Sequence, residues 1–131
     1  MAVGLGSWDA GMSEQNEPAN QVVLVGWVSA APESRELPSG DTLVTFRLVV
    51  DRPTSRDRPR RQVDVIDVAC WGRRTQRTAA ALEPHTTVRV EGALRRRFFA
   101  AGGARASRYE VEAERIARVS VARAAKASSG G

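Results

Sequence analysis

The chain has 131 residues, enough for one domain but not comfortably for two, and carries a formal net charge of +5. It has a single cysteine, no apolar run of about 18 residues and no signal-peptide pattern, which argues against an intramolecular disulfide, a helical membrane span and export. It therefore reads as a cytoplasmic protein. The charge is uneven: residues 1–19 hold Asp9, Glu14 and Glu17 and no basic residue, while all 20 Lys and Arg follow, every one an Arg except Lys126. GC-rich coding accounts for the preference for Arg; the clustering points to function, because a guanidinium grips phosphate bidentately and stacks on flat rings.

Residues 1–19 are rich in Gly, Ala, Ser, Asn and acids without periodicity and read as a disordered leader, with Met12 as an alternative start and Trp8 incidental. A domain is expected over residues 20–119. Residues 21–31 form a first strand with Gly26 as a bend, and residues 32–40 a turn region. Residues 42–50 alternate, with Val44, Phe46 and Leu48 on one face and Thr45 and Arg47 on the other. Residues 51–61 form a polar, Pro-containing basic loop, and residues 62–71 a third strand. Gly72 breaks that strand. Residues 73–82 then carry helix formers, and Glu83-Pro84 stops them.

Residues 86–94 make a fourth strand, Val88 and Val90 inward and Gly92 at a bend. Residues 95–108 form a weakly structured basic hairpin arm with Gly102-Gly103 at its tip. Residues 109–119 make a fifth strand, whose alternation slips near Arg115-Ile116 as at a bulge. Residues 120–131 read as a short disordered basic tail. Three strands, a helix and two strands describe an all-β OB-fold, a five-stranded Greek-key barrel with one short helix between strands three and four.

On the third strand Ile66, Val68 and Cys70 share the face expected to be the core, which sends Trp71 outward together with Val65, Asp67 and Ala69. An exposed indole between two basic arms suits base stacking beside phosphate neutralisation, the two needs of single-stranded nucleic acid. Asp67 would repel phosphate and is expected to pair with an arginine. Phe98 and Phe99 lie in a charged hairpin, one expected to pack on the barrel and the other to stack on a base. Trp27 shares parity with Val23 and Val25 and is either an interface residue or a further stacking platform.

Arg95, Arg96, Arg97, Arg105 and Arg108 give the arm five charges and no acid, so phosphate contact is expected there. Arg56, Arg58, Arg60 and Arg61 serve the other arm, and Arg73 at the start of the helix is a weaker phosphate contact. Glu110, Glu112 and Glu114 are expected to pair with arginines. Cys70 reads as a small, inert core residue. No Cys/His set has metal-ligand spacing, and His85, the one histidine, has no nucleophile–carboxylate pattern around it. No metal, cofactor or catalytic activity is expected.

Four segments appear in order: residues 20–26 (Asn-Gln-Val-Val-Leu-Val-Gly), 67–73 (Asp-Val-Ala-Cys-Trp-Gly-Arg), 88–95 (Val-Arg-Val-Glu-Gly-Ala-Leu-Arg) and 109–112 (Tyr-Glu-Val-Glu). Together they resemble the bacterial single-stranded DNA-binding protein family over residues 20–119. The resemblance implies an OB-fold, a homotetramer, and sequence-independent binding of single-stranded DNA in replication, recombination and repair, in the cytoplasm at the nucleoid. It puts Trp71 and Phe99 at the family's stacking positions.

The chain departs from the family by having Val65, and Thr54 or a neighbour, where aromatics are common. It also ends in a basic tail rather than an acidic tip, resembling a short actinobacterial accessory copy for which tip-mediated partner recruitment is not expected. Two other readings stay open: an RNA-binding or primosome-type OB module, and an interaction module forming mixed oligomers with a main single-stranded DNA-binding protein.

Overall fold

In a computed structural model, residues 17–57 and 59–120 are described. The expected leader and tail, with Met12 and Trp8, fall almost wholly outside them, as does Arg58. The elements are β1 (Val22–Val28), β2 (Glu33–Glu36), β3 (Thr42–Asp51), β4 (Val63–Cys70), α1 (Arg73–Ala80), β5 (Thr87–Ala101) and β6 (Ala104–Arg118). The sheet runs β1-β5-β6-β4-β3-β2, and β1 also pairs with β3, which closes β1, β5, β6, β4 and β3 into a barrel. The β4–β6 pair is parallel and the rest are antiparallel. This is the expected OB-fold, with its helix between the third and fourth barrel strands.

The inward parity of each strand builds the core: Val28, Val44, Phe46, Leu48, Val68, Cys70, Val88, Val90 and Val111 are buried together, and Ala79 and Leu82 close the barrel from the helix side. Cys70 is fully buried, and desolvation pushes its thiol up to about 12, so it stays a neutral packing group. Two glycines are required by close approach. A Cβ on Gly26 would run into the carbonyl of Val49, and one on Gly92 into that of Glu112. Gly26 precedes Trp27, which pairs with both Thr87 of β5 and Val49 of β3. It thus sits where β1 passes from one neighbour to the other, a barrel corner.

Three sequence expectations are corrected. Residues 33–36, expected as turn, form β2, which pairs with residues 42–45 of β3. All four of its side chains are exposed, so it has no apolar alternation to read. The arm over residues 95–108 is not weakly structured: β5 and β6 continue through it, paired in register to the Ala101/Ala104 turn. Gly102 and Gly103 both have positive φ, as a two-residue hairpin turn demands. Backbone pairing holds the arm without an apolar face, so its alternation is of Arg, Phe and Ala. The bulge lies at Glu114, one residue before the expected slip, since Glu91 pairs with Arg115 while Gly92 pairs with Ala113.

Among the described residues no helix is long and apolar enough to cross a membrane, and no cluster of three His, Cys, Asp or Glu could hold a metal ion.

Candidate nucleic-acid interface

The outward face of β1, β3 and β4 is laid out in cross-strand rows. Trp27 pairs with Val49, which pairs with Val65. One row along, the Ser29 amide donates to the Arg47 carbonyl, and Arg47 faces Asp67. The next row holds Thr45 and Ala69, with Glu112 of β6 alongside. Ala69 has the outward parity expected of it but is fully buried, because strands flank it on both sides and its side chain is small. Trp71 follows just past the end of β4, 37 % exposed. Six residues separate Trp71 from Val65, about 20 Å along the strand. Trp27 thus occupies the far end of the same face, with one side of its indole covered by His85 at a centroid distance of 5.4 Å.

Trp71 is positioned by a residue that sequence reading passed over. The Gln76 side-chain amide of α1 donates to the carbonyls of Thr42 (2.6 Å), Cys70 (3.0 Å) and Trp71 (3.1 Å), tying the strand end to the helix. Gly72 caps α1 without a side-chain bond, and Arg73 opens the helix exposed to solvent.

The arm brings a second set of groups to this face. Arg97 and Arg108 are cross-strand partners, and so are Phe99 and Ala106. The Arg97 guanidinium lies 5.6 Å from the Trp71 ring centroid, and that of Arg108 lies 5.7 Å from the Phe99 ring. A cleft of about 380 Å³ runs from Ser29 to the arm, lined by Arg35, Arg47, Asp67, Arg97, Arg108 and Glu110 among others. It continues into a hollow bounded by Phe99. Arg35 and Arg47 were not singled out in the sequence. Arg47 had the right parity, but Arg35 depends on β2.

The arginines differ in how far they are neutralised. Arg47 pairs with Asp67 at 3.5 Å, as expected for that carboxylate. Residues 95–108 hold no acid, but Glu112 and Glu110 at the arm's base pair with arginines, as expected of them: Arg95 with Glu112 at 3.0 Å and Arg97 with Glu110 at 3.6 Å. The expectation of five unopposed arginines therefore fails for two of them, because the hairpin register puts a carboxylate at the arm's base diagonally across from each. In the other loop Arg61 pairs with Asp51 at 2.8 Å and Arg52 with Asp64 at 2.7 Å. Arg56, Arg60, Arg73, Arg96, Arg105 and Arg108 have no carboxylate partner among the described residues. Glu110 is buried, and desolvation raises its carboxyl above the usual range against the opposing pull of Arg97.

Phe98 is not packed on the barrel as one arm phenylalanine was expected to be. It is 58 % exposed, against 42 % for Phe99, and points to the opposite side of the arm.

Residues 19–119 match the single-strand binding protein family. The chain belongs to that family. Among similar proteins of the single-strand binding family, the single-stranded DNA-binding protein A of Bacillus subtilis is 34 % identical over 98 residues, covering 74 % of this chain and 57 % of that protein. That of Clostridium tetani is 32 % identical over 99 residues, covering 74 % and 68 %, and that of Halalkalibacterium halodurans 33 % over 80 residues, covering 61 % and 48 %. The chain thus spans about half to two thirds of the length of these relatives.

The solved Plasmodium falciparum SSB complex with ssDNA superposes with a TM-score of 0.69 at 19 % identity, over 80 % of this chain and 98 % of that one. A deletion mutant of the single-stranded DNA binding protein from Thermus aquaticus gives 0.66 at 28 %, over 79 % and 51 %. The single-strand binding family comprises binding proteins rather than enzymes.

Proposed function

We propose that this protein binds single-stranded DNA without sequence preference, stacking bases on Trp71 and Phe99 and neutralising phosphates with arginines, in replication, recombination and repair at the nucleoid. The observation that carries this reading is two exposed rings, each beside a guanidinium that lines the cleft: Trp71 beside Arg97 and Phe99 beside Arg108. Every base has a flat π-face, so such rings bind strands without reading sequence. Arg56 and Arg60, which pair with no carboxylate among the described residues, supply further charge. Trp27, at the far end of the same face, is a third platform, reached by a strand that crosses the Arg47 row. The names of the relatives, and the ssDNA held in the Plasmodium falciparum SSB complex, agree with this ligand.

Assembly as a homotetramer belongs to the same proposal. Val23 and Val25 are exposed side by side on β1, away from the cleft, and an apolar strand face of that kind is stabilised by a second copy.

Titration with oligo-dT under tryptophan fluorescence tests the stacking. Quenching that shrinks in Trp71→Ala is expected; no quenching, or quenching indifferent to that substitution, removes the reading. A weaker-binding role in mixed oligomers draws on Asp67, Glu110 and Glu112, which neutralise Arg47, Arg97 and Arg95 on this face. A gel shift with the purified protein alone separates the two, since the mixed-oligomer role predicts no shift.

A further inference from the structure

We infer that the arm is a two-sided ribbon, and that its other side is a second track for single-stranded nucleic acid. This rests on the function proposed above and adds to it a surface on the opposite face from Trp71 and Phe99. The inward parity of the Leu94/Val111 pair, whose Val111 still belongs to the core, continues beyond the barrel's mouth in Arg96/Tyr109 and Phe98/Ser107, where there is no core left to bury them. Phe98 and Tyr109 are each 58 % exposed.

Between them lies Arg96, its guanidinium 4.9 Å from the Phe98 ring and 5.6 Å from the Tyr109 ring, with Arg105 5.7 Å from Phe98 on the far side. Ring, cation, ring, cation thus follow one another along the face. Arg96 donates one bond to the Ser107 hydroxyl at 3.2 Å, and neither arginine meets a carboxylate among the described residues.

The charge selects the occupant. The cleft side of the arm has its own carboxylates, Glu110 and Glu112, against Arg97 and Arg95. This side has none, so two unscreened guanidinium groups await an anion. A second copy offering the same face would oppose arginine to arginine, and an apolar partner would strand both charges. A polyanion carrying flat rings satisfies the rings and the charges together, which is what a single strand supplies. The base of the ribbon is tied to the segment before β1, because the Asn20 side chain accepts from the Leu94 amide (2.9 Å) and donates to its carbonyl (2.8 Å).

Ultraviolet crosslinking of oligo-dT to the full chain, followed by trypsin and mass spectrometry, tests the inference. Cleavage after Arg108 and Arg115 puts Tyr109 in a peptide separate from those of Trp71 and Phe99. Crosslinks in that peptide are expected, together with a loss of affinity of about tenfold in Phe98→Ala/Tyr109→Ala at unchanged oligomeric mass. Crosslinks confined to Trp71 and Phe99, with none on Tyr109 or on Phe98 when the fragment ions of residues 98–105 are read, overturn the second track and leave the proposed function standing. So does an affinity within twofold of the parent, or a change of mass in the variant, which would make the face a contact between copies. No binding of oligo-dT at all would instead overturn the proposed function.

Discussion

Arg97 stands between Trp71 and Glu110: its guanidinium is 5.6 Å from the indole centroid and 3.6 Å from the carboxylate. One cation thus holds a ring that is exposed for stacking and a buried acid that opposes phosphate. The balance between these two contacts sets how the cleft responds to substitution and to pH.

Trp71→Ala removes the ring and leaves Arg97 to Glu110 alone. Affinity for oligo-dT is expected to fall by about 10–100-fold, the worth of one base stack. The fold should be untouched, since Trp71 lies outside the core cluster and Gln76 holds the backbone carbonyl rather than the indole. Equal circular dichroism spectra beside unequal binding isotherms would bear this out.

Glu110→Gln keeps the shape of the site and removes its buried charge. Affinity should rise by about 5–30-fold near neutral pH, the worth of about 1–2 kcal/mol of partly screened repulsion. The parent's binding should tighten as pH falls through the raised Glu110 value, while the variant's stays flat. Stability shifts in the same window. The native state holds this proton more strongly than the unfolded chain, so parental stability falls as pH rises from the ordinary carboxylate range through the raised value. The variant is therefore more stable above that window and matches the parent below it. Asp67 and Arg108, which also act on Glu110, remain in both proteins, so a binding curve of unchanged pH dependence in the variant would place the titration elsewhere.

The β4 face was legible in the sequence because Ile66, Val68 and Cys70 make a purely apolar set at every second position while Asp67 breaks the other set, and a period of two fixes the direction of Trp71 once the core side is known. The pairing of Arg97 with Glu110 was not read there, although a two-residue turn at Gly102-Gly103 puts Arg97 opposite Arg108 and Arg95 opposite Glu110. What hid it was the expectation that a segment without apolar alternation is loop. The same expectation hid β2, and Arg35 with it. Gln76 could not be found at all, since its three carbonyl partners come from β3 and from the end of β4 and meet only after the helix has docked.

Gly26→Ala should destabilise the barrel by about 3 kcal/mol, lowering the melting temperature by about 10–20 °C, because the new methyl meets the Val49 backbone rather than a side chain that could move. Gly72→Ala is the matched control. Its Cβ would meet only the Thr75 hydroxyl, at 3.6 Å, and its φ of −82° suits any residue. Differential scanning calorimetry should show the first change and almost none from the second.

The loop between β3 and β4 separates charge that is available from charge already spent. Arg61 is held by Asp51 through two bonds of 2.8 and 3.2 Å, whereas Arg60 has no carboxylate partner among the described residues. If phosphate neutralisation drives binding, each arginine that meets a phosphate contributes about −0.7 to the log–log salt slope. Arg60→Ala should therefore flatten the slope by about that amount, and Arg61→Ala by clearly less, because Asp51 left alone adds repulsion without removing a free cation. Asp51→Asn should do the reverse, steepening the slope as it releases Arg61 to the strand. Isotherms measured from low to moderate salt on the three variants give the order directly. Equal slopes for Arg60→Ala and Arg61→Ala would mean that the strand breaks the Arg61–Asp51 pair on binding.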